Sequence, residues 1–455
     1  MKQKLRPKEY AYVASMLFGL FFGAGNLIFP VQMGQMAGSH MWPAVLGFLI
    51  TGVGLPLLGV AALGMSRSEG LFDLSCKIGR PYAYFFTCLL YLTIGPFFAI
   101  PRCATVSFSV GLEGILPAGW NMSYCLLLFS TVFFAAVLLF SLFPGKILTW
   151  VGKILTPAFL VFLAVLFIAV LISPDKAALG SVTPEDGYVA HPFFTGFLSG
   201  YNTMDAPASL AFGIIVVLVI RDLGVEKPTD VAANTVRAGL FSCLFMALIY
   251  IAVTLLGTLS RGVLDTAENG GIALAQIARH FLGTPGMLIL AAAVTLACLK
   301  TAVGLVTSCS ETFTAMFPKG PTYRVWAVIF SVTSLLFANL GLSKIIDYSL
   351  PVLMFLYPLA ITLSVLALCG RLFGNDRTVY GWVTGCTMIG ALYDLLCQLP
   401  DSVRTTLHLN GMLETVGSYL PLSSLGLGWL CPTAIGLVVG LTIHLVRRQF
   451  RKKSA

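Results

Sequence analysis

Charge is what this sequence has least of. Only 10% of its 455 residues are Asp, Glu, Lys or Arg, against 57% hydrophobic residues and a mean hydropathy of +0.90. A soluble domain of that size needs far more charged surface, so the composition points to an all-α polytopic membrane protein. Histidine is also sparse: His40, His191, His280, His408 and His444 lie far apart and share no ligand spacing. The 11 cysteines stand singly, mostly in apolar runs, with no Cys-x-x-Cys pair, which argues against a disulfide framework and a metal cluster. No Walker motif offers direct use of ATP, and no His-Glu-x-x-His, Gly-x-Ser-x-Gly or paired intramembrane carboxylates support a membrane-embedded enzyme. Re-entrant glycine runs and rings of like charge, the marks of a channel, are missing too. No soluble domain, low-complexity tract or long linker interrupts the chain, so 1–455 reads as one membrane domain.

What the chain does have is about twelve apolar runs, each near the ~20 residues a helix needs to span a bilayer. They lie near 10–37, 41–66, 81–110, 121–142, 147–173, 191–220, 229–260, 284–317, 323–341, 345–370, 378–399 and 425–446. Residues 268–281 suit an extra surface helix before the eighth. Met1–Glu9 followed by an apolar run imitates a signal peptide, but no small-residue cleavage site stands out, and it reads as a retained first helix. The net charge of +9 does not call for nucleic acid, because the positive residues sit at helix ends. With the N-terminus inside, 21 of the 28 Lys and Arg fall in cytoplasmic segments and 5 in external ones, leaving Arg102 and Lys300 inside spans. That asymmetry predicts a multi-pass protein with both termini cytoplasmic.

Two spans carry breaks. In span one, Gly23-Ala24-Gly25-Asn26-Leu27-Ile28-Phe29-Pro30 puts two glycines, an asparagine and a proline where a helix should be most regular. In span six, Gly200-Tyr201-Asn202-Thr203-Met204-Asp205-Ala206-Pro207 begins about ten residues in, where Thr203 or Asp205 can cap a new helix and Pro207 suits its first turn. Freed backbone groups at membrane depth cost several kcal/mol each unless protein, cavity or ligand meets them. Spans five and ten share a softer likeness, with Thr156-Pro157 and Leu350-Pro351 each following a lysine, Lys153 and Lys344. Breaks at matching places in two halves point to an inverted-repeat transporter with its site between them. The expected repeats are 10–173 and 191–370, with 378–446 forming two peripheral helices.

The motif around Gly23–Pro30, together with Ile100-Pro101-Arg102-x-Ala104-Thr105-Val106-Ser107-Phe108, Thr203-Met204-Asp205-Ala206 and Thr301-Ala302-Val303-Gly304-Leu305, resembles the bacterial branched-chain amino acid:cation symporters along essentially the whole chain. The resemblance implies a five-plus-five inverted-repeat fold of the amino acid–polyamine–cation superfamily, in a bacterial inner membrane among its lipids. It implies alternating-access import of leucine, isoleucine and valine, with no catalytic residue and no cofactor beyond the coupling ion. That family uses Na⁺ in some members and H⁺ in others; Na⁺ is the expectation and H⁺ the alternative, and other neutral amino acids remain open as substrates.

The site residues follow. Amides at the start of the outer half of span one, around Ala24, Gly25 and Asn26, suit the substrate carboxylate, because a helix N-terminus attracts an anion. The other reading is a kinked packing helix, with Gly19-x-x-x-Gly23 giving a close crossing. Carbonyls near Phe21–Gly23 and over Gly200, Tyr201, Asn202 and Thr203 suit the ammonium, and Tyr201 and Met204 can wall the side chain or merely pack. Asp205, an ionisable residue inside a span, can receive the ammonium, join in coupling or cap its helix. Thr307-Ser308 resembles the superfamily's sodium-binding stretch; with carbonyls of Gly304, Gly19 and Phe22 it would make five oxygen ligands. The competing reading has both hydroxyls bonded to their own helix. Arg102 is a gate candidate or one half of a structural pair. Lys300 departs from the family motif and is a candidate for carboxylate binding, pairing with Asp205 or proton shuttling.

Overall fold

The structure, a computed structural model, describes residues 4–453 apart from 24, 67, 69, 114, 115, 118, 144 and 145, with backbone alone at 20, 146–156, 186 and 451–453. Ala24 therefore lies outside the described residues, as do the side chains of Lys153 and Thr156. Helix makes up 83% of the protein and no strand occurs among the described residues. All twelve apolar runs are helical. Among the described residues, seven stretches are long and apolar enough to cross a membrane alone, and an eighth passes as a bent pair.

Both expected breaks exist. Span one is Pro7–Phe21 and Gly25–Ala37, and span six is Pro192–Ser199, a short 3₁₀ turn over Gly200–Thr203, and Asp205–Asp222. The two parts of span six are bent by 45°. Span three is interrupted as well: the run Arg80–Glu113 contains a π turn at Thr93–Phe97, where Gly95 leaves helical geometry ahead of Pro96. Pro157 and Pro351 both lie inside helices, in spans five and ten. We call the face of the bundle that holds the N-terminus the near face and the opposite one the far face.

Glycine sets the closest crossings. A Cβ on Gly34 would sit 2.0 Å from the Thr254 carbonyl oxygen, and one on Gly257 would sit 2.1 Å from that of Val31, so the far half of span one meets span seven backbone to backbone. Gly47 and Gly196 do the same for spans two and six, each 2.0 Å from a facing carbonyl oxygen. Without a hydrophobic force between helices in lipid, such small-residue contacts carry the packing. Gly19 is not one of them: nothing lies within 4 Å of its missing Cβ.

One expectation needs correction. Residues 270–282 do form a helix, capped by the Asn269 side chain at 3.1 Å from the amides of Gly271 and Ile272, but it is not a surface element. Gly270, Ala273, Leu274 and Ile277 are buried, and a Cβ on Gly270 would meet the Ile28 carbonyl oxygen at 1.9 Å. Gly283, at φ 69°, then turns the chain into span eight. Its small and apolar residues recur on one face, and the far half of span one supplies the partner that the local sequence does not name. Spans eleven (Arg377–Cys397) and twelve (Leu430–Lys453) pack on each other at the edge. Asp394 accepts from the amides of Gly428 and Trp429 at 3.2 Å each.

Candidate functional site

The two breaks face each other. After Phe21 the chain leaves helical geometry at Phe22 (φ −74°, ψ 101°) and resumes at Gly25. The Gly23 amide donates to Asn26 Oδ1 at 2.7 Å, so the asparagine side chain closes the gap in its own span. In span six Met204 takes a left-handed conformation (φ 60°, ψ 15°), which for a residue with a Cβ costs on the order of 1–2 kcal/mol. That turn starts the new helix at Asp205, whose amide reaches Thr203 Oγ1 at 3.4 Å.

Asn26 then joins the breaks: its Nδ2 donates to Asp205 Oδ2 at 2.6 Å and also contacts the Tyr250 hydroxyl of span seven. Tyr250 donates to the same Asp205 oxygen at 3.2 Å. The Asp205 side chain is thus committed to a network between spans and does not cap its helix. Above it, Arg102 of span three donates from Nη1 to the Asn202 carbonyl at 2.7 Å and lies 5.0 Å over the Phe29 ring.

A cavity of about 370 Å³ opens beneath. Of the residues singled out for substrate, Gly25, Asn26, Thr203, Met204 and Asp205 line it; of those singled out for the ion, Gly19, Gly304, Thr307 and Ser308 do; so do Arg102 and Lys300. Gly304, like Gly19, has open space where a Cβ would stand. Thr301, Ser310 and Thr314 of span eight donate to carbonyls of their own helix at 3.0, 2.7 and 2.7 Å. Among the described residues Thr307 and Ser308 make no such bond; Thr307 accepts from the Tyr323 hydroxyl at 3.4 Å.

Four of the expected residues do not reach the cavity. Gly200 packs on Thr51, with 1.9 Å between a built Cβ and Thr51 Oγ1. Tyr201 is fully buried and stacks on Tyr357 with ring centroids 3.9 Å apart, so it does not wall the cavity. Asn202 contributes its carbonyl to Arg102 instead, and the Phe22 ring stacks on Phe18 at 4.8 Å. The tight 3₁₀ turn over Gly200–Thr203 explains the first three: it tucks that stretch behind the break and leaves only its last residue facing inward. Lys300 has neither a hydrogen bond nor an ion pair among the described residues, so the pairing with Asp205 is not made.

The apolar wall was not foreseen: Ile94, Ala99 and Cys103 of span three, Ala208 and Phe212 of span six, and Leu305 of span eight. Nor was Tyr250, an ordinary aromatic in the middle of an apolar run. Glu311 was within reach, since Lys300, Gly304, Thr307, Ser308 and Glu311 fall on one helical face. Exposed Ile215 and Glu311 line the cavity, whereas the far half of span one is buried beyond Asn26, so the opening leads to the near face.

Comparison with known proteins adds the following. The family described as branched-chain amino acid transport protein matches residues 6–447. The branched-chain amino acid permease BrnQ of Lactobacillus delbrueckii subsp. lactis is 52% identical over 435 residues, covering 96% of each chain. The branched-chain amino acid transport system 2 carrier protein of Pseudomonas aeruginosa is 41% identical over 94% of each chain. Among solved structures, the inward-facing conformation of Mhp1 gives a TM-score of 0.62 at 15% identity over 99% of this chain and 95% of that one. MhsT in complex with L-phenylalanine gives 0.57 at 16% identity, over 98% and 99%. These last two likenesses establish the shared five-plus-five inverted-repeat fold.

Proposed function

This chain belongs to the branched-chain amino acid transport protein family, and we propose that it is a secondary symporter that imports leucine, isoleucine and valine with Na⁺ across a bacterial inner membrane. Both termini face the cytoplasm in this reading, which makes the near face cytoplasmic and the cavity inward-open. The whole chain acts as one transporter unit, in which repeats 10–173 and 191–370 alternate access around the two breaks and residues 378–446 stay peripheral.

The substrate lies in the cavity between the breaks. Its carboxylate meets the start of the outer half of span one at Gly25 and Asn26, with the Lys300 ammonium adding positive charge nearby. Its ammonium meets Asp205 and the carbonyls at the breaks. Its branched side chain lies against Met204 and the apolar wall of spans three, six and eight. Arg102 holds the outer side shut through Asn202 and Phe29.

The observation that carries the ion site is that Thr307 and Ser308 face the cavity beside bare Gly304 and opposite bare Gly19, with neither hydroxyl bonded to its own helix. A sodium ion takes several hard oxygens, and these two hydroxyls with the carbonyls of Gly304, Gly19 and Phe22 are the set that would supply them. One observation favours H⁺ instead: Lys300 stands on the same helical face with no ion-pair partner among the described residues, and an ammonium there can supply the charge that a metal ion would.

The test is leucine accumulation in proteoliposomes under an imposed Na⁺ gradient and then an imposed pH gradient. Sodium-driven accumulation that falls at least tenfold in Thr307→Ala/Ser308→Ala supports the proposal. Proton-driven accumulation that survives in that variant and disappears in Lys300→Met moves coupling to the lysine.

A further inference from the structure

Asp205 is a carboxyl group at the centre of a membrane protein, 4% exposed and on the wall of the cavity. No cation among the described residues comes within ion-pair distance of it. Arg102 is turned to the Asn202 carbonyl, and Lys300 makes no ion pair among the described residues. Among the described residues the donors to the Asp205 carboxyl are neutral, and Asn26 and Tyr250 both address Oδ2. A buried anion supported by neutral donors alone is expensive, and a proton or a bound cation removes most of that cost.

We propose that Asp205 carries a proton in the empty inward-open carrier and exchanges it for the ammonium of the amino acid. This rests on the reading of the cavity as an amino-acid site. The exchange balances: one O–H bond at Asp205 breaks, one proton leaves through the near mouth to water, and one ammonium–carboxylate pair forms. The substrate carboxylate is left facing the helix start and Lys300. Sodium plays no part in this step.

Tyr250 is a positioning residue. Its hydroxyl and the Asn26 amide hold Oδ2 from the side of spans one and seven, which keeps the carboxyl turned to the cavity. Its ring is fixed edge-on against Phe48 at 5.2 Å, so removing the hydroxyl leaves its packing intact. The titratable and charged groups facing Asp205 are Arg102 and Cys103 of span three, Tyr250 of span seven, Cys298 and Lys300 of span eight and Tyr357 of span ten. The second half of span two (Leu55–Ser66) contributes none, and the titratable residues of Pro7–Phe21 lie at its opposite end. Glu311 stands at the mouth, more than two helical turns beyond Lys300.

The experiment is titration calorimetry of the full-length protein with leucine, in buffers of different ionisation enthalpy, from pH 5 to 9. The expected result is release of up to one proton per leucine, with affinity rising about tenfold per pH unit where the empty carboxyl is protonated. Tyr250→Phe removes a donor that favours the charged form, so the pH midpoint of affinity moves upward. Lys300→Met binds leucine more weakly, having lost a charge near the carboxylate, but each leucine bound still releases the proton. An infrared carbonyl stretch of a protonated carboxyl, present without substrate and absent in Asp205→Asn, reports the same proton even if that variant binds no leucine. Buffer-independent heats with pH-independent affinity overturn the exchange while leaving the amino-acid site standing. Release lost in Lys300→Met assigns the proton to the lysine and also overturns it. Failure to bind leucine at any pH overturns the site reading, and this proposal with it.

Discussion

Asn26 Nδ2 lies 2.6 Å from Asp205 Oδ2, so a single amide ties the broken first span to the broken sixth. The same amide group, through Oδ1, satisfies the Gly23 N–H at 2.7 Å. Asn26→Ala releases both breaks at once and leaves a partly buried amide and a buried carboxyl short of a partner. Each unmet group costs about 1–3 kcal/mol. Leucine uptake should fall at least tenfold and the melting temperature should drop. Uptake and melting both unchanged would show that the bridge is idle.

Gly304 and Gly34 should respond in opposite ways to the same added atoms. A Cβ at Gly304 meets open cavity, whereas one at Gly34 sits 2.0 Å from a backbone oxygen. Gly304→Val should fold with a near-native melting temperature but weaken ion-dependent leucine binding several-fold. Gly34→Val should fail to fold or melt far lower. Detergent melting curves beside binding isotherms separate the two.

Arg102 should govern which side of the cavity is open. Its Nη1 bonds the Asn202 carbonyl and its guanidinium lies over Phe29, and in the proposed cycle these two contacts hold the far side shut. Arg102→Ala removes both contacts, and Cys103, on the cavity wall, should then react several-fold faster with an impermeant thiol reagent added from the far face. The check is the ratio of labelling rates from the two faces in native and variant chains, with Cys103→Ser as the control.

The edge of the bundle carries a pH-dependent link. Asp376 caps span eleven at Thr378 N (2.8 Å) and pairs with His444 Nδ1 of span twelve at 2.6 Å. The hydrogen bond from His444, with help from the Thr378 amide, holds the Asp376 carboxyl below the usual carboxylate range. A depressed acid contributes stability that is fully present above its unfolded value of about 3.9 and is lost as pH falls through the folded value. Both partners are partly exposed, so the contribution is about 1 kcal/mol or less. Acid unfolding below about pH 4 should be shallower in His444→Phe than in the native chain.

The spans, the two breaks and the family were legible because each rests on a local rule. Twenty apolar residues make a span, and glycine or proline inside one makes a break, whatever surrounds it. Gly25, Asn26, Thr203, Met204 and Asp205 were found that way, Gly19, Gly304, Thr307 and Ser308 through the family resemblance, and all of them line the cavity. Tyr201 and Gly200 misled the reading, because residues flanking a break look alike until the turn type decides which of them face inward. The helix over 270–282 looked like surface because its partner, the far half of span one, is distant in the chain.

The tertiary structure alone decided how the site is wired. Asn26 and Asp205 are 179 positions apart, Asp205 and Tyr250 are 45, and Asn26 and Tyr250 are 224. No periodicity or propensity reaches across such distances. Tyr250 becomes part of the site because glycine at Gly34 and Gly257 lets span seven touch span one backbone to backbone, which carries its hydroxyl to the break. Sequence determines where a helix must open, since the cost of an open backbone is local; packing determines what closes around the opening, since a hydrogen bond needs its partner within about 3 Å wherever that partner lies in the chain.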